Sequence, residues 1–491
     1  MVNSVSARAA LQRGRAMAPS ALQRGAHPRA RLKAHERAGE VALQEAESRL
    51  AQLHRRQHFT LSSEGDARVT PALELALSLQ WRLGFPSTPR GVGQLTHGRL
   101  HYPAGMQPSA ALALLRRAHS PGGTVCDCFC GGGTSLIEAL RCGRNAVGSD
   151  VSPLAAFVAQ LQASPPTDAA LREAERSAQH IADAALSSSV EPDCNAPSGW
   201  GKLLSALRSE RSCSTDAQRC LWFAYASALE RGSRKKKPRA VELFTQTLRG
   251  YVGGARHLRE VVGESSNEAD ASHALISQNE ANCDSEVPWA EVSLADARHF
   301  DPGRTIDSLI CSVPYPGGVL TLHIASFPAG NSLIPQCPHL YAYAVYKYQS
   351  HARWMRSIVS ASMPSDLGIH FLDVNVPDGR DWPEEWSSGE VGDRKRAKQK
   401  DPDAFAEQWQ ADQDAWVAQQ SQWLAPGGRI SVVVGDGKGI DSNASLQTAF
   451  KRVGLHTLAS ATVSAQELPR ERREPGRRRT EHVLLAEKPV W

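Results

Sequence analysis

The stretch VCDCFCGGGTSLIEAL, Val125 to Leu140, sets Cys126, Cys128 and Cys130 at alternate positions and follows them with Gly131, Gly132 and Gly133. Two chemistries suit such residues. Zinc sites usually draw on Cys-x2-Cys pairs, in which a tight turn lets two sulfurs wrap one ion. Cysteines at every second position of a strand instead share one face, roughly 6–7 Å apart. That spacing favours core packing over tetrahedral ligation, and no second cysteine pair or histidine cluster follows downstream. The glycines carry the sharper signal. They lie between an apolar strand and a helix, where a missing Cβ lets a ligand approach the backbone and the helix start offers N–H donors.

Asp150 lies 23 residues beyond Asp127, at the end of the next apolar stretch, NAVGSD. A carboxylate there can accept hydrogen bonds from both hydroxyls of a ribose. A glycine loop followed by such an acid admits a nicotinamide dinucleotide as well as S-adenosylmethionine. IDSLICSVPYPGG, residues 306–318, ends a buried strand in Ser312-Val313-Pro314-Tyr315. Tyr315 can stack on a planar ring. Ser312 and the carbonyl of Val313 can accept hydrogen bonds from an exocyclic amine and steer its nitrogen lone pair toward a methyl donor, while Pro314 stiffens the backbone. PRERREPGRRR, 469–479, supplies Arg470, Arg472, Arg473, Arg477, Arg478 and Arg479, suited to gripping phosphates. DRKRAKQK (393–400) and RKKKPR (234–239) read more readily as solvated charge.

These residues need a scaffold that brings strand ends together. Alternating apolar and helical patterns predict a strand over Thr124–Cys128, a helix over Thr134–Arg141, a strand from Asn145 that ends at Ser149-Asp150, and a helix over Pro153–Ala163. Strand, glycine loop, helix, strand, acid, helix is the opening of a doubly wound α/β domain. Residues 166–262 read as helical and Gly263–Ser285 as a polar loop. Strands return at Glu291–Ala295 and Ile306–Ser312, the latter expected beside the first strand. Residues 316–400 read as irregular, followed by a helix near Pro402–Leu424. Strands close the chain at Arg429–Val434, His456–Val463 and Glu481–Glu487. The arginine run lies between the last two of these, so its loop is expected on the cofactor side. Further helices are expected over 31–57, over Leu73–Leu83 and, within 101–118, from a start near Pro108. The expected organisation is a basic leader (1–40), a helical N-terminal region (41–98), a first core half (99–165), a helical insertion (166–285) and a second core half (286–491).

DCFCGGGT, GRNAVGSDVSPLA, SVPY, WLAPGGRISVVVGDG and EHVLLAEKP, in this order, resemble the amino methyltransferases of nucleic acids. That group includes DNA N4-cytosine and N6-adenine methylases and the tRNA guanine-N2 type. The similarity covers about 100–165 and 285–491. It implies a class I Rossmann-like fold with a mostly parallel seven-stranded sheet, S-adenosylmethionine as methyl donor, and DNA or RNA, tRNA among them, as partner. It also implies that Asp127, Phe129, Gly131 and Gly133 line the methionine end, Asp150 holds the ribose and Asp296 lies near the adenine. Ser312, Pro314 and Tyr315 would hold the target base. Three positions depart from the usual pattern. Gly132 replaces a common serine, and Cys128 and Val313 replace prolines, the last loosening the clamp.

A chain of 491 residues, 41% hydrophobic and 22% charged, has the composition of a globular protein. No apolar run approaches the ~18 residues of a spanning helix. The net charge of +5 is uneven: residues 1–40 carry eight basic side chains against Glu36 and Glu40, which leaves the rest of the chain near neutrality. Nucleic-acid binding by the body therefore calls for local patches. The Arg/Ala/Ser-rich leader has the composition of a chloroplast or mitochondrial transit peptide, and equally of an unstructured tail on a cytoplasmic or nuclear protein. Ten scattered cysteines fit free thiols in a reducing, intracellular compartment. Two other classes fit part of the pattern: a non-catalytic S-adenosylmethionine-binding protein, and a small-molecule methyltransferase.

Overall fold

Short, almost wholly apolar strands belong in the middle of a sheet covered on both faces. The computed structural model describes residues 37, 39–48, 59–81, 95–98, 105–151, 153–187, 189–192, 199–232, 239–263, 287–316, 402–437, 439–466 and 478–490. In it β2 (Thr124–Asp127) and β5 (Ile306–Ser312) pair in parallel at the centre, Val125 opposite Ser308 and Cys126 opposite Leu309. Val125, Cys126, Ile310 and Cys311 are buried. Outward from β2 come β3 (Asn145–Asp150) and β4 (Ala290–Leu294), both parallel to it. Outward from β5 come β6 (Leu424–Gly435), parallel, then β8 (Arg478–Glu487), β7 (His456–Gln466) and β1 (Phe59–Gly65), each antiparallel to its neighbour. The order is β1-β7-β8-β6-β5-β2-β3-β4, an eight-stranded, mostly parallel sheet with an antiparallel part.

The eighth strand corrects the expectation of seven and of an all-helical N-terminal region. FTLSSEG reads as a polar loop because a strand at the sheet edge has one partner and one sheltered face, so few apolar side chains mark it. The helix after it, α1, runs Thr70–Gln80 rather than Leu73–Leu83, with Pro71 accommodated in the first turn where no N–H is needed.

One face of the sheet carries α1, α2 (Pro108–Arg117), α3 (Thr134–Arg141) and α4 (Pro153–Ala163) over a core of Leu112, Leu114, Leu136, Ile137, Ala156, Ile310 and Val433. The other face carries α9 (Pro402–Trp423) and α10 (Ser442–Arg452) over Cys311, Trp416, Val432 and Phe450. As expected, helices fill the insertion: α5 (Asp168–Leu186), α6 (Gly201–Ser209), α7 (Thr215–Gly232) and α8 (Ala240–Val262). They enclose a separate core around Trp200, Phe223, Phe244 and Tyr251, joined to α4 through Phe157, Val158 and Leu161. The buried Tyr251 hydroxyl donates to the carbonyl of Leu161 at 2.9 Å. Residues 1–36, almost all of the expected loops at 263–285 and 316–400, and the basic runs at 234–238 and 393–400 lie outside the described residues. No helix among the described residues is long and apolar enough to cross a membrane.

Phe223 is fully buried against Tyr251, ring centroids 4.8 Å apart. Phe223→Ala is expected to cost about 3–5 kcal/mol. Hydrogen exchange should show the loss first in α5–α8, with β2 and β5 still protected. Equal loss in the sheet would mean that the two cores open as one unit.

Candidate functional site

The strand order reverses between β2 and β5: the chain steps from β2 to β3 and β4 on one side, then returns to the other side with β5. At such a reversal the loops leaving the carboxyl ends of the two strands diverge and open a crevice. Cys128, the residue after β2, and Cys311, near the end of β5, are buried in the same cluster, so the loop after β2 packs against the end of β5.

The glycine loop is held from several sides. Gly131 (φ 52°) and Gly133 (φ 77°) are left-handed, and a Cβ on Gly133 would stand 3.1 Å from the Ala159 Cα, so α3 and α4 can pack this closely only around glycine. The Gly131 N–H donates to Asp150 Oδ2 at 2.9 Å, and the Cys130 N–H to the Ser149 carbonyl at 2.9 Å. From beneath, Gln162 Nε2 donates to the Gly132 carbonyl at 2.6 Å, and Thr96 Oγ1 to the Gln162 carbonyl at 2.5 Å. Asp150 is half-buried at the tip of β3. Two of the expected groups, the glycines and the acid of the next strand, are thus brought into direct contact.

Asp127 is buried and accepts hydrogen bonds from the Ser135 hydroxyl and, at 3.0 Å, from the Phe129 N–H. Burial pushes its carboxyl up to about 7, with a further push from Asp150, and the two hydrogen bonds only partly oppose this. Phe129 sits edge-on to Trp416 of α9, centroids 5.5 Å apart. Asp296 is buried and turned to Arg298, which donates Nη2 to Oδ2 at 2.6 Å and Nε to Oδ1 at 3.0 Å and reaches Asp412 at 2.9 Å.

The three alternating cysteines do not share a face. Cys126 and Cys128 lie in the apolar cluster with Cys311, and Cys130 in the cluster on the other side of the sheet. The strand ends at Asp127, so the every-second-residue rule stops applying there. Burial raises all three thiols well above their ordinary range, the state of packed side chains rather than of thiolates.

At the end of β5, Ser312 is half-buried opposite Val433, and the Val313 N–H donates to the Val433 carbonyl at 3.0 Å. Val313 is buried. The Tyr315 ring lies over Gly435, where a Cβ would come within 2.5 Å of it, and its hydroxyl donates to Glu481 Oε1 at 2.5 Å. The Trp81 indole N–H donates to the other Glu481 oxygen.

No protein-family model matches the chain, and no curated protein matches it.

The arginine run is described only in part. β7 ends at Gln466 opposite Arg478, which opens β8 with Arg479. β7 is parallel to β6, so the hairpin turns at the sheet edge where β2, β3 and β5 end, as expected. Arg470, Arg472, Arg473 and Arg477 lie outside the described residues. The sequence reading missed Gly435, Glu481 and Trp81. Gly435 stands in the quoted VVVGDG with no role attached, and Glu481 shows as one acid opening an apolar strand. Also missed was a polar group beside them: His482 Nε2 and Asp436 Oδ1 lie 2.9 Å apart, the Ser442 N–H donates to Asp436, and Asp441 caps α10. Burial acts to raise the Asp436 carboxyl, but the bonds from His482 and Ser442 outweigh it and hold it low.

The raised Asp127 carboxyl has a consequence for stability. Between its ordinary value near 3.8 and about 7 the native state keeps a proton that the unfolded chain has lost. The stability it contributes is therefore present below that window and falls as pH rises through it. Urea titrations at stepped pH should show this decline, and Asp127→Asn should flatten it. An unchanged slope would place the titrating group elsewhere.

Proposed function

We propose that the chain is an S-adenosylmethionine-dependent methyltransferase acting on an exocyclic amino group of a base in DNA or RNA. The observation that carries this reading is the adjacency of the glycine loop, tied to Asp150, with the Ser312–Tyr315 strand end across β2 and β5. The sheet supports it. The order β4-β3-β2-β5-β6-β8-β7, in which β8 alone is reversed, is the one this reading expects of a class I Rossmann-like fold, with β1 as an added edge.

The residues at the crevice fit the cofactor. Left-handed glycines keep the loop backbone bare of side chains, Asp150 offers a half-buried carboxylate for the ribose, and Asp127 offers a buried acid for the methionine ammonium. Asp296, implied near the adenine, is tied to Arg298, so its contribution there is to hold the turn after β4. S-adenosylmethionine, when bound, supplies a methyl group on a positively charged sulfur. The chain's task is then alignment. Tyr315 stacks the base, Pro314 limits the backbone, and Ser312 and the Val313 carbonyl take the amine N–H bonds so that the nitrogen lone pair points at the methyl group. A strong base is unnecessary, because the amine loses its proton to water after it has gained the methyl group, and orientation supplies much of the rate. A target in duplex DNA must first be flipped out of its stack. Arginines of the β7–β8 turn would hold phosphates on the same side.

Transfer of a radiolabelled methyl group to pooled tRNA, rRNA and genomic DNA, followed by nucleoside analysis, is the deciding test. Label is expected in N-methylated nucleosides of one pool. Label only in small molecules, or cofactor binding without transfer, would replace this reading with one of the two other classes. Calorimetry with S-adenosylmethionine should find Asp150→Ala weaker by about tenfold or more, the scale of one charge-assisted hydrogen-bond pair.

A further inference from the structure

A tyrosine that stacks a base works only if its ring is held still before the base arrives. Tyr315 follows the last residue of β5 by three positions, where the sheet no longer fixes it. Contacts with Gly435 and Glu481 hold it instead. Its ring covers Gly435, the last residue of β6, so closely that any side chain there would collide with it. Its hydroxyl donates to Glu481 Oε1. Glu481 is itself pinned: it lies in β8, 1% exposed, opposite Gly435 across the β6–β8 pair and Val463 across the β7–β8 pair. Its second oxygen accepts from the indole N–H of Trp81, the C-cap of α1. Trp81 and Glu481 are 400 residues apart in sequence. A buried carboxylate that accepts from two aromatic donors, one on each oxygen, is an orienting group, since each of these bonds is lost if its ring turns away.

We propose that Glu481 is a positioning residue that fixes the Tyr315 ring for the target base, and that Trp81 makes the N-terminal layer part of the base-binding side of the site. This rests on the methyltransferase reading above, and the test separates the two. The protein is labelled with 3-fluorotyrosine, and the Tyr315 fluorine resonance is assigned by its loss in Tyr315→Phe. Glu481→Ala and Trp81→Phe should each move it toward the free amino-acid position, while Glu481→Gln, whose amide can donate to the tyrosine oxygen and accept from the indole, should keep it near the parent. In the transfer assay Glu481→Ala should lower kcat about tenfold to hundredfold and Glu481→Gln no more than about threefold, with S-adenosylmethionine affinity within about twofold throughout. A Tyr315 resonance that is unmoved in both disruptive variants overturns the proposal, as does a kcat equal to the parent in Glu481→Ala. Moved resonances in a parent protein that transfers no methyl group would support the Glu481 link and remove the reading it rests on. Melting curves of each variant exclude simple unfolding as the cause of a moved signal.

Discussion

The parallel pairing of β2 with β5 is the constraint on which the site depends. It joins two segments that are about 180 residues apart in sequence and sets their carboxyl ends side by side. The pairing is short, with two registered partners, and gains its rigidity from burial on both faces: Val125 and Ile310 toward α2 and α3, Cys126 and Cys311 toward α9 and α10. Two of the three alternating cysteines, Cys126 and Cys128, pack with Cys311 on one face of this pairing. A thiol is small enough to let β2 and β5 sit tightly under Trp416 and Phe129, and burial keeps it protonated.

The tips carry carboxylates that burial alone would make costly, and each is supplied with donors. Asp127 takes a hydroxyl and a backbone N–H, Asp150 the Gly131 N–H, Asp296 a guanidinium, and Glu481 a phenol and an indole. Donors of this kind lock the geometry of their acceptors. The support reaches outward in layers. The glycine loop rests on Gln162 of α4, and Gln162 in turn on Thr96, a residue between β1 and β2 in sequence. The N-terminal region therefore touches the site from two directions, beneath the glycines through Thr96 and beside Tyr315 through Trp81.

The sequence made the scaffold legible where each segment buries a continuous apolar face. The helices Thr134–Arg141 and Pro153–Ala163 and the strand Ile306–Ser312 fall at their expected bounds, because a glycine, a proline or a charged residue marks each end. The neighbour relation of β2 and β5 was also legible, through the rule that a returning strand pairs beside the first. Edge strand β1 was not, since FTLSSEG has no sustained alternation. The common face expected of the cysteines was lost because the strand stops at Asp127, three residues before Cys130, which packs on the other side of the sheet. Within the site, Asp150 and the glycines could be paired from spacing alone. Glu481, Gly435 and Trp81 could not, because what matters about each is a partner brought to it by the antiparallel end of the sheet, and no local pattern encodes such a partner.

The distribution of acids bears on the kind of chemistry the crevice can perform. A reaction that needed a proton removed before bond formation would call for a carboxylate or imidazole exposed at the β5 tip, with a value near neutrality. The Asp127 carboxyl has such a value, and its oxygens accept from Ser135 and Phe129 at the β2 end, on the side proposed for the cofactor. At the β5 tip stand the Ser312 hydroxyl, Pro314 and the Tyr315 ring, with the Glu481 carboxylate on the Tyr315 hydroxyl and the Asp436–His482 pair beside it. In the reading proposed above, the hydroxyl and the ring orient an amine and flatten a base. The proposed transfer is one limited by alignment, with bond formation first and proton loss second. Rigidity of Tyr315 then matters more than the basicity of any neighbour, and the chain invests in rigidity there: a glycine under the ring, a buried acid at its hydroxyl, and an indole behind the acid.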